Sequence, residues 1–410
     1  MFDESQERID SSFNFLLVSR ATRSIALVFV SLAFSLYLNE LGYSLVFIGV
    51  AFLAIVAFNM LISLFIGMMG DRIGYSRALL IGETFAVIGT AGLSFSTNIL
   101  VIIISAVLAG VSGTAGAIRG AFSPGMTAYI ASNWSNELAR VQRLARVNIV
   151  ASLFSIVGGI MLYTHDYLTP YFGKEGTFRF LFLISFFLLI ISAVSLLFLR
   201  ERRRPRKTTS IMKADSAKYM VRILIPNSVN GAAIGLAIPL LPLWFHLRFD
   251  ISISTVGEVF TYAYAATALG SYLSGKYFNS HKISAIFVSS VTRFFQGFLL
   301  IAIAFSPLAV VAAGLYVIRS TVAGIGAPMR SAISVRGIGH EDYGTASSIE
   351  GTATRGSQMT SGLSGYLMDL YYSLPIFLGG AIQATGAVIY YKLIRSWEIN
   401  HQNSEKKEFS

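Results

Sequence analysis

The chain is a succession of long apolar stretches, and that pattern leaves few folds open to it. Such stretches occupy 21–40, 45–69, 76–96, 99–123, 147–165, 178–199, 221–246, 253–276, 284–305, 307–329, 347–370 and 374–396. Each is near the length that crosses about 30 Å of hydrocarbon as a helix. Segments that span lipid must satisfy their own backbone hydrogen bonds, and no alternating β-barrel pattern is present. The sequence therefore predicts an all-α integral membrane protein with twelve transmembrane helices. Composition agrees: 54% of the 410 residues are apolar and 13% are charged, against about 25% charged in a soluble domain.

Several chemistries are excluded at this level. There is no cysteine, so disulfides, thiolate metal sites and a cysteine nucleophile do not arise. The five histidines show no metal-ligand spacing. His165, His246, His281 and His340 fall in or near loops on different faces, and His401 lies in the tail. No nucleophile–base set forms inside the spans, and the chain is read as no enzyme, with no catalytic residue, metal or cofactor. The G-x-x-x-x-G-K-[ST] phosphate loop is absent, which argues against ATP-driven work. The mostly polar start, with no short apolar core and cleavage site after it, is not a cleavable signal peptide.

The basic residues set the expected orientation. Arg8, Arg20 and Arg23, then Arg72, Arg77, Arg140, Arg143 and Arg146, the run Arg200–Lys207 and most later lysines and arginines fall on one face. Only Lys174, Arg179 and Arg248 fall on the other. The positive-inside rule then places both termini in the cytoplasm, in a multi-pass plasma-membrane protein. It also accounts for the net charge of +11 without nucleic acid, as orientation charge and attraction to anionic lipid. The run Arg200-Glu-Arg-Arg-Arg-Pro-Arg-Lys207 divides the spans six and six. The expected organisation is a six-helix bundle over 1–199, a basic cytoplasmic linker over 200–220, a second six-helix bundle over 221–396 and a cytoplasmic tail over 397–410.

The halves repeat. A shift of 208 residues lays Gly49 on Gly257, Gly67 on Gly275 and Asp71 on Asn279; a shift of 204 lays Pro124 on Pro328 and Gly158 on Gly362. Two blocks in the right order imply two similar bundles about a pseudo-twofold axis along the membrane normal. Carriers built this way hold their substrate between the bundles near mid-membrane.

Between spans two and three stands Gly67-Met-Met-Gly-Asp71-Arg72-Ile-Gly74-Tyr-Ser-Arg77. This resembles the signature loop of the major facilitator superfamily, with one departure: Ser76 takes the place of the first of two trailing basic residues. The chemistry of the loop also reads directly. Gly67 lets a neighbouring helix approach, Gly74 permits a tight turn, and Asp71 at a membrane surface suits the positive end of a helix. The resemblance implies that Gly67, Asp71, Arg72, Gly74 and Arg77 form a conformational latch. In it, Asp71 faces the start of span eleven, Tyr343-Gly-Thr-Ala-Ser-Ser, and holds the outward-open state. The second copy of the loop has Asn279 for the acid. The Gly-Pro stretch that drug–proton antiporters of the superfamily carry in the fifth helix is missing from Ser155-Ile-Val-Gly158-Gly159-Ile.

Ionisable groups inside spans are costly and face cavities or partners. Spans one, two, four, five, seven, eight, ten and eleven line the cavity in this superfamily. On that basis Arg319, Arg355, Glu350, Glu258 and Arg119 are the candidates for substrate binding or coupling. Arg319 lies close to mid-membrane, about 13 Å along the helix from Pro328. Arg293 and Glu83, on spans nine and three, are expected to snorkel or to pair within their own bundles. Span seven, with Pro226, Pro239 and Pro242, is expected to bend. The resemblance implies a secondary active transporter moving a small molecule by alternating access, coupled to protons and acting as a monomer. The excess of arginine over acid inside the spans leans towards an organic anion or amphiphile. Efflux of drug-like hydrophobic compounds is the alternative within transport, and a non-transporting membrane sensor or scaffold is the alternative outside it.

Overall fold

The computed structural model describes residues 2–111, 125–126, 129–130, 133–134, 137–201, 213–277, 284–338 and 343–408. Among these, every regular element is a helix. They are α1 (Phe2–Glu40), α2 (Leu45–Ile73), α3 (Tyr75–Phe95), α4 (Ile99–Ala109), α5 (Glu137–Tyr163), α6 (His165–Leu197), α7 (Ala214–Ala237), α8 (Leu241–Phe249), α9 (Ile253–Tyr277), α10 (Ala285–Ala304), α11 (Ala309–Arg336), α12 (Tyr343–Ser357), α13 (Ser361–Leu370) and α14 (Leu374–Glu408). The pairs α7/α8 and α12/α13 are each one interrupted span, so the fourteen helices make twelve spans. The linker residues 202–212 and much of span four lie outside the described residues.

Local chemistry sets the boundaries. Ser44 caps α2 by accepting from the Phe47 N–H, and Asn98 caps α4 by accepting from Leu100 at 2.9 Å. Span seven breaks at 238–240, around Pro239 and ahead of Pro242, where the helical ladder loses a donor. Span eleven tightens into a 3₁₀ turn at Gln358–Thr360. In α6 the chain turns at Gly173, with φ 71°, so a short helical stretch precedes the span itself. Helix α1 begins far ahead of the expected residue 21. Its Ile9, Phe13 and Leu16 are buried in a cluster with Leu79, Tyr129, Trp134 and Leu196.

Helices α1–α6 pack among themselves, as do α7–α14, giving two six-helix bundles. Between the bundles, α5 crosses α9, α2 crosses α12 and α13, and α1 touches α8. The repeat glycines sit at these crossings. A Cβ on Gly49 would stand 2.8 Å from the Gly365 backbone nitrogen, and one on Gly257 would overlap the backbone of Tyr163. Both bare backbones are needed for helices to approach this closely.

The two ends of the molecule differ. At the end away from the termini a single buried core draws on both bundles, with Phe34, Tyr37 and Phe52 from the first and Trp244, Phe260 and Tyr316 from the second. At the end bearing the termini the buried apolar residues divide, among the described residues. One cluster belongs to the first bundle, and another, around Tyr219, Ile223, Ile333 and Tyr390, belongs to the second.

Candidate functional site

Inside the first bundle, Arg23 of α1 forms an ion pair with Glu83 of α3, at 4% and 0% side-chain exposure. Arg20, one turn earlier, is also buried, and among the described residues its Nε and Nη2 find no acceptor. This corrects the sequence reading, which counted Arg20 and Arg23 among the orienting charges of the terminal face. They project into the bundle because they continue the buried stripe Ile9, Phe13, Leu16. Glu83 pairs within its own bundle, one of the two arrangements expected of it.

In the second bundle α7 supports two polar chains from residues one turn apart. Arg293 of α10 donates through Nη2 to Asn227 Oδ1 at 2.6 Å, and Asn227 Nδ2 donates to Glu350 Oε1 at 2.6 Å. The Arg293 guanidinium lies over the Tyr390 ring, 4.4 Å from its centroid. The second chain starts at Arg319 of α11, 7% exposed. Its Nη2 donates to Gln383 Oε1 at 3.5 Å, and Gln383 Nε2 donates to Asn230 Oδ1 at 3.0 Å. Arg319 Nε is buried without an acceptor, and among the described residues no carboxylate accepts from this guanidinium. Its guanidinium stands 6.0 Å from the centroid of the Tyr316 ring.

The remaining candidates are dispersed. Glu350 and Arg355 are both half-buried on α12, the helix that packs on α2 of the other bundle. Glu258 is exposed on α9, and it joins neither chain. Arg119 lies outside the described residues. Arg293 likewise pairs within its own bundle, one of the two arrangements expected of it, and heads the chain that ends on Glu350.

In the signature loop, α2 passes into α3 through Gly74 alone. Its φ of 97° and ψ of 148° belong to a region that side chains avoid, and its N–H donates to Gly70 O at 3.0 Å. Arg72 and Arg77 are exposed. Asp71 stands in the last turn of α2, and its side chain, like Gly67, lies outside the described residues. The loop has a partner that sequence reasoning missed. Glu201, just past α6, accepts from the Tyr75 N–H at 3.0 Å, the Ser76 N–H at 2.9 Å and the Ser76 hydroxyl at 3.0 Å. A carboxylate thus caps the positive end of α3. A Cβ on Gly74 would stand 2.8 Å from Glu201 Oε2, so this glycine also makes room for the cap. The available signal was a single acid in a row of arginines, read only as linker.

Two helical bundles in a membrane, joined by close crossings and carrying charged chains in their interiors, define a polytopic carrier fold. The chain belongs to the major facilitator superfamily, whose model matches residues 16–362. No curated protein matches it significantly in sequence. Solved structures share its fold at low identity. An auto-inhibited POT family peptide transporter aligns with TM-score 0.73 and 10% identity, over 94% of this chain and 97% of that one. The human organic anion transporter MFSD10 (TETRAN) aligns with TM-score 0.66 and 13% identity, over 95% and 99%. A bacterial homologue of the human lysosomal transporter Spinster, inward-facing and unoccupied, aligns with TM-score 0.67 and 13% identity, over 95% and 97%.

Proposed function

We propose that this protein is a proton-coupled secondary transporter that carries a small organic anion or amphiphile across the plasma membrane by alternating access. Its termini are cytoplasmic, it works as a monomer, and the state described above is the inward-facing one. The observation that carries the reading is the contrast between the ends: one core shared by both bundles away from the termini, and two separate cores beside them. Arg319 supports an anionic substrate, because a buried guanidinium with only a neutral amide as acceptor leaves room for a charged ligand. Glu350 supports proton coupling. It is half-buried at the bundle boundary, and its neutral form keeps its place on Asn227. The organic anion named for one structural neighbour and the peptides named for another are compatible with this chemistry.

The test is counterflow in proteoliposomes with a panel of organic anions, with and without an imposed pH gradient, alongside ligand-induced thermal shifts. A true ligand at one hundred times its dissociation constant stabilises by about 2.7 kcal/mol. Glu350→Gln is expected to abolish accumulation driven by the gradient while sparing counterflow. A panel in which no anion is exchanged or stabilises the protein would overturn the anionic reading, and accumulation by Glu350→Gln would overturn the role of Glu350.

A further inference from the structure

Helix α9 begins at Ile253, and its first N–H groups have no partner inside the helix. Ser252 satisfies one: its Oγ accepts from the Thr255 N–H at 3.2 Å. The N–H of Ser254 is satisfied from the other bundle. It donates to Asp166 Oδ2 at 3.1 Å, and Ser254 Oγ accepts from the Asp166 N–H at 2.9 Å. Asp166 stands in the first turn of α6, in the short stretch ahead of Gly173. The two bundles therefore cap each other reciprocally, in the manner of a capping box divided between them. The carboxylate also faces the positive end of α9. Its other oxygen lies 3.0 Å from Nδ1 of His165. That histidine is 1% exposed and packs on the Phe178 ring, 4.4 Å between centroids, which fixes the first turn of α6 in place. At the other bundle crossing, α2 on α13, bare glycine backbones meet at Gly49 and Gly365.

We propose that Asp166 and Ser254 form the clasp that holds the far end shut, and that it breaks each time the protein opens to the outside. The proposal rests on the alternating-access reading. It is the same device, an acid on a helix N-terminus, that the signature loop implies for Asp71 at the terminal end. Asp166 is a positioning residue here: it acts on the relation between bundles and touches no substrate.

The chain has no native cysteine, so Tyr171→Cys and Val310→Cys accept spin labels cleanly. They lie on the far end of the first and second bundle and are 81% and 82% exposed. Pulsed dipolar distances are then read in the full-length protein in nanodiscs, without substrate. Asp166→Ala is expected to raise the long-distance population about fivefold, the scale of a lost N-cap acceptor. Asp166→Asn keeps an acceptor and is expected to change it less than twofold. Ser254→Ala, which removes one bond of the two, falls between them and keeps the test alive if Asp166→Ala does not fold. Unchanged distributions in Asp166→Ala and Ser254→Ala would overturn the clasp. A shift in distances with no counterflow by any anion would leave the clasp standing and count against the substrate reading alone.

Discussion

In the first bundle α1 and α3 are joined by Arg23 and Glu83, an ion pair sealed at both ends. In the second bundle the corresponding helices, α7 and α10, are joined by Asn227 and Arg293, and the acid has moved to a third helix as Glu350. The consequences differ. A buried ion pair cannot change protonation without stranding its partner, so it behaves as a fixed scaffold. The second arrangement interposes a neutral amide between cation and acid. It also places the acid half-buried on α12, which touches the opposite bundle. Under the proposed coupling Glu350 is the acid that takes up the proton, and its neutral form still accepts from Asn227. The same fold thus carries one bundle whose charges are locked and one whose charges are linked to the interface.

The comparison breaks most visibly at its two acids. Glu83→Ala removes the carboxylate that pairs with buried Arg23 beside buried Arg20, and is expected to cost about 3–5 kcal/mol. The readout is thermal unfolding in detergent, or loss of folded material. Glu350→Gln keeps an acceptor for Asn227, and is expected to change stability by less than about 1 kcal/mol. Equal losses in the two variants would show that Glu350 is scaffold too.

What could be read from sequence follows the range of the interaction. The twelve spans and the Asp-Arg loop are local patterns, and the repeat glycines Gly49 and Gly257 stand out because bare backbone is required where bundles cross. The stripe Ile9, Phe13, Leu16, Arg20, Arg23 was equally legible: its spacing of four and three places both arginines on the buried face of α1. The error there lay in starting the span at the first purely apolar run. Partnerships across the fold were not legible. Asp166 and Ser254 lie 88 positions apart, in different halves, and neither belongs to a motif. Asn227 belongs to no motif either, because its value comes from Arg293 and Glu350 on either side.

Arg319 sharpens the comparison from within the second bundle. Arg319→Lys keeps the charge but loses the planar fork that holds a carboxylate by two bonds. It is expected to remove the ligand-induced stabilisation of about 2.7 kcal/mol at saturating anion. Arg319→Met fills much of the same volume and removes a buried charge that has no acid partner among the described residues. It is expected to leave intrinsic stability level or slightly raised while also failing to bind. Normal ligand-induced shifts in a stable Arg319→Met protein would remove Arg319 from the site, and most of the reason for an anionic substrate with it.

The smallest effect concerns the cap on the signature loop and asks whether the first bundle is purely scaffold. Glu201 gathers two backbone donors and a hydroxyl at the start of α3, so Glu201→Ala exposes orphan N–H groups at the positive end of that helix. The expected cost is about 1 kcal/mol, the usual worth of an N-cap. Ser76→Ala removes only the hydroxyl donor and is expected to cost less. Because both changes act on one carboxylate, the double variant should fall short of the sum, with the shortfall read from thermal unfolding of the four proteins. Neither change touches the Asn227–Glu350 chain, so the dependence of counterflow on pH should be the same in all four. A displaced pH profile in Glu201→Ala would mean that the loop beside Gly74 reports to the coupling acid. The first bundle would then have to be counted as a working part of the proton step rather than its frame.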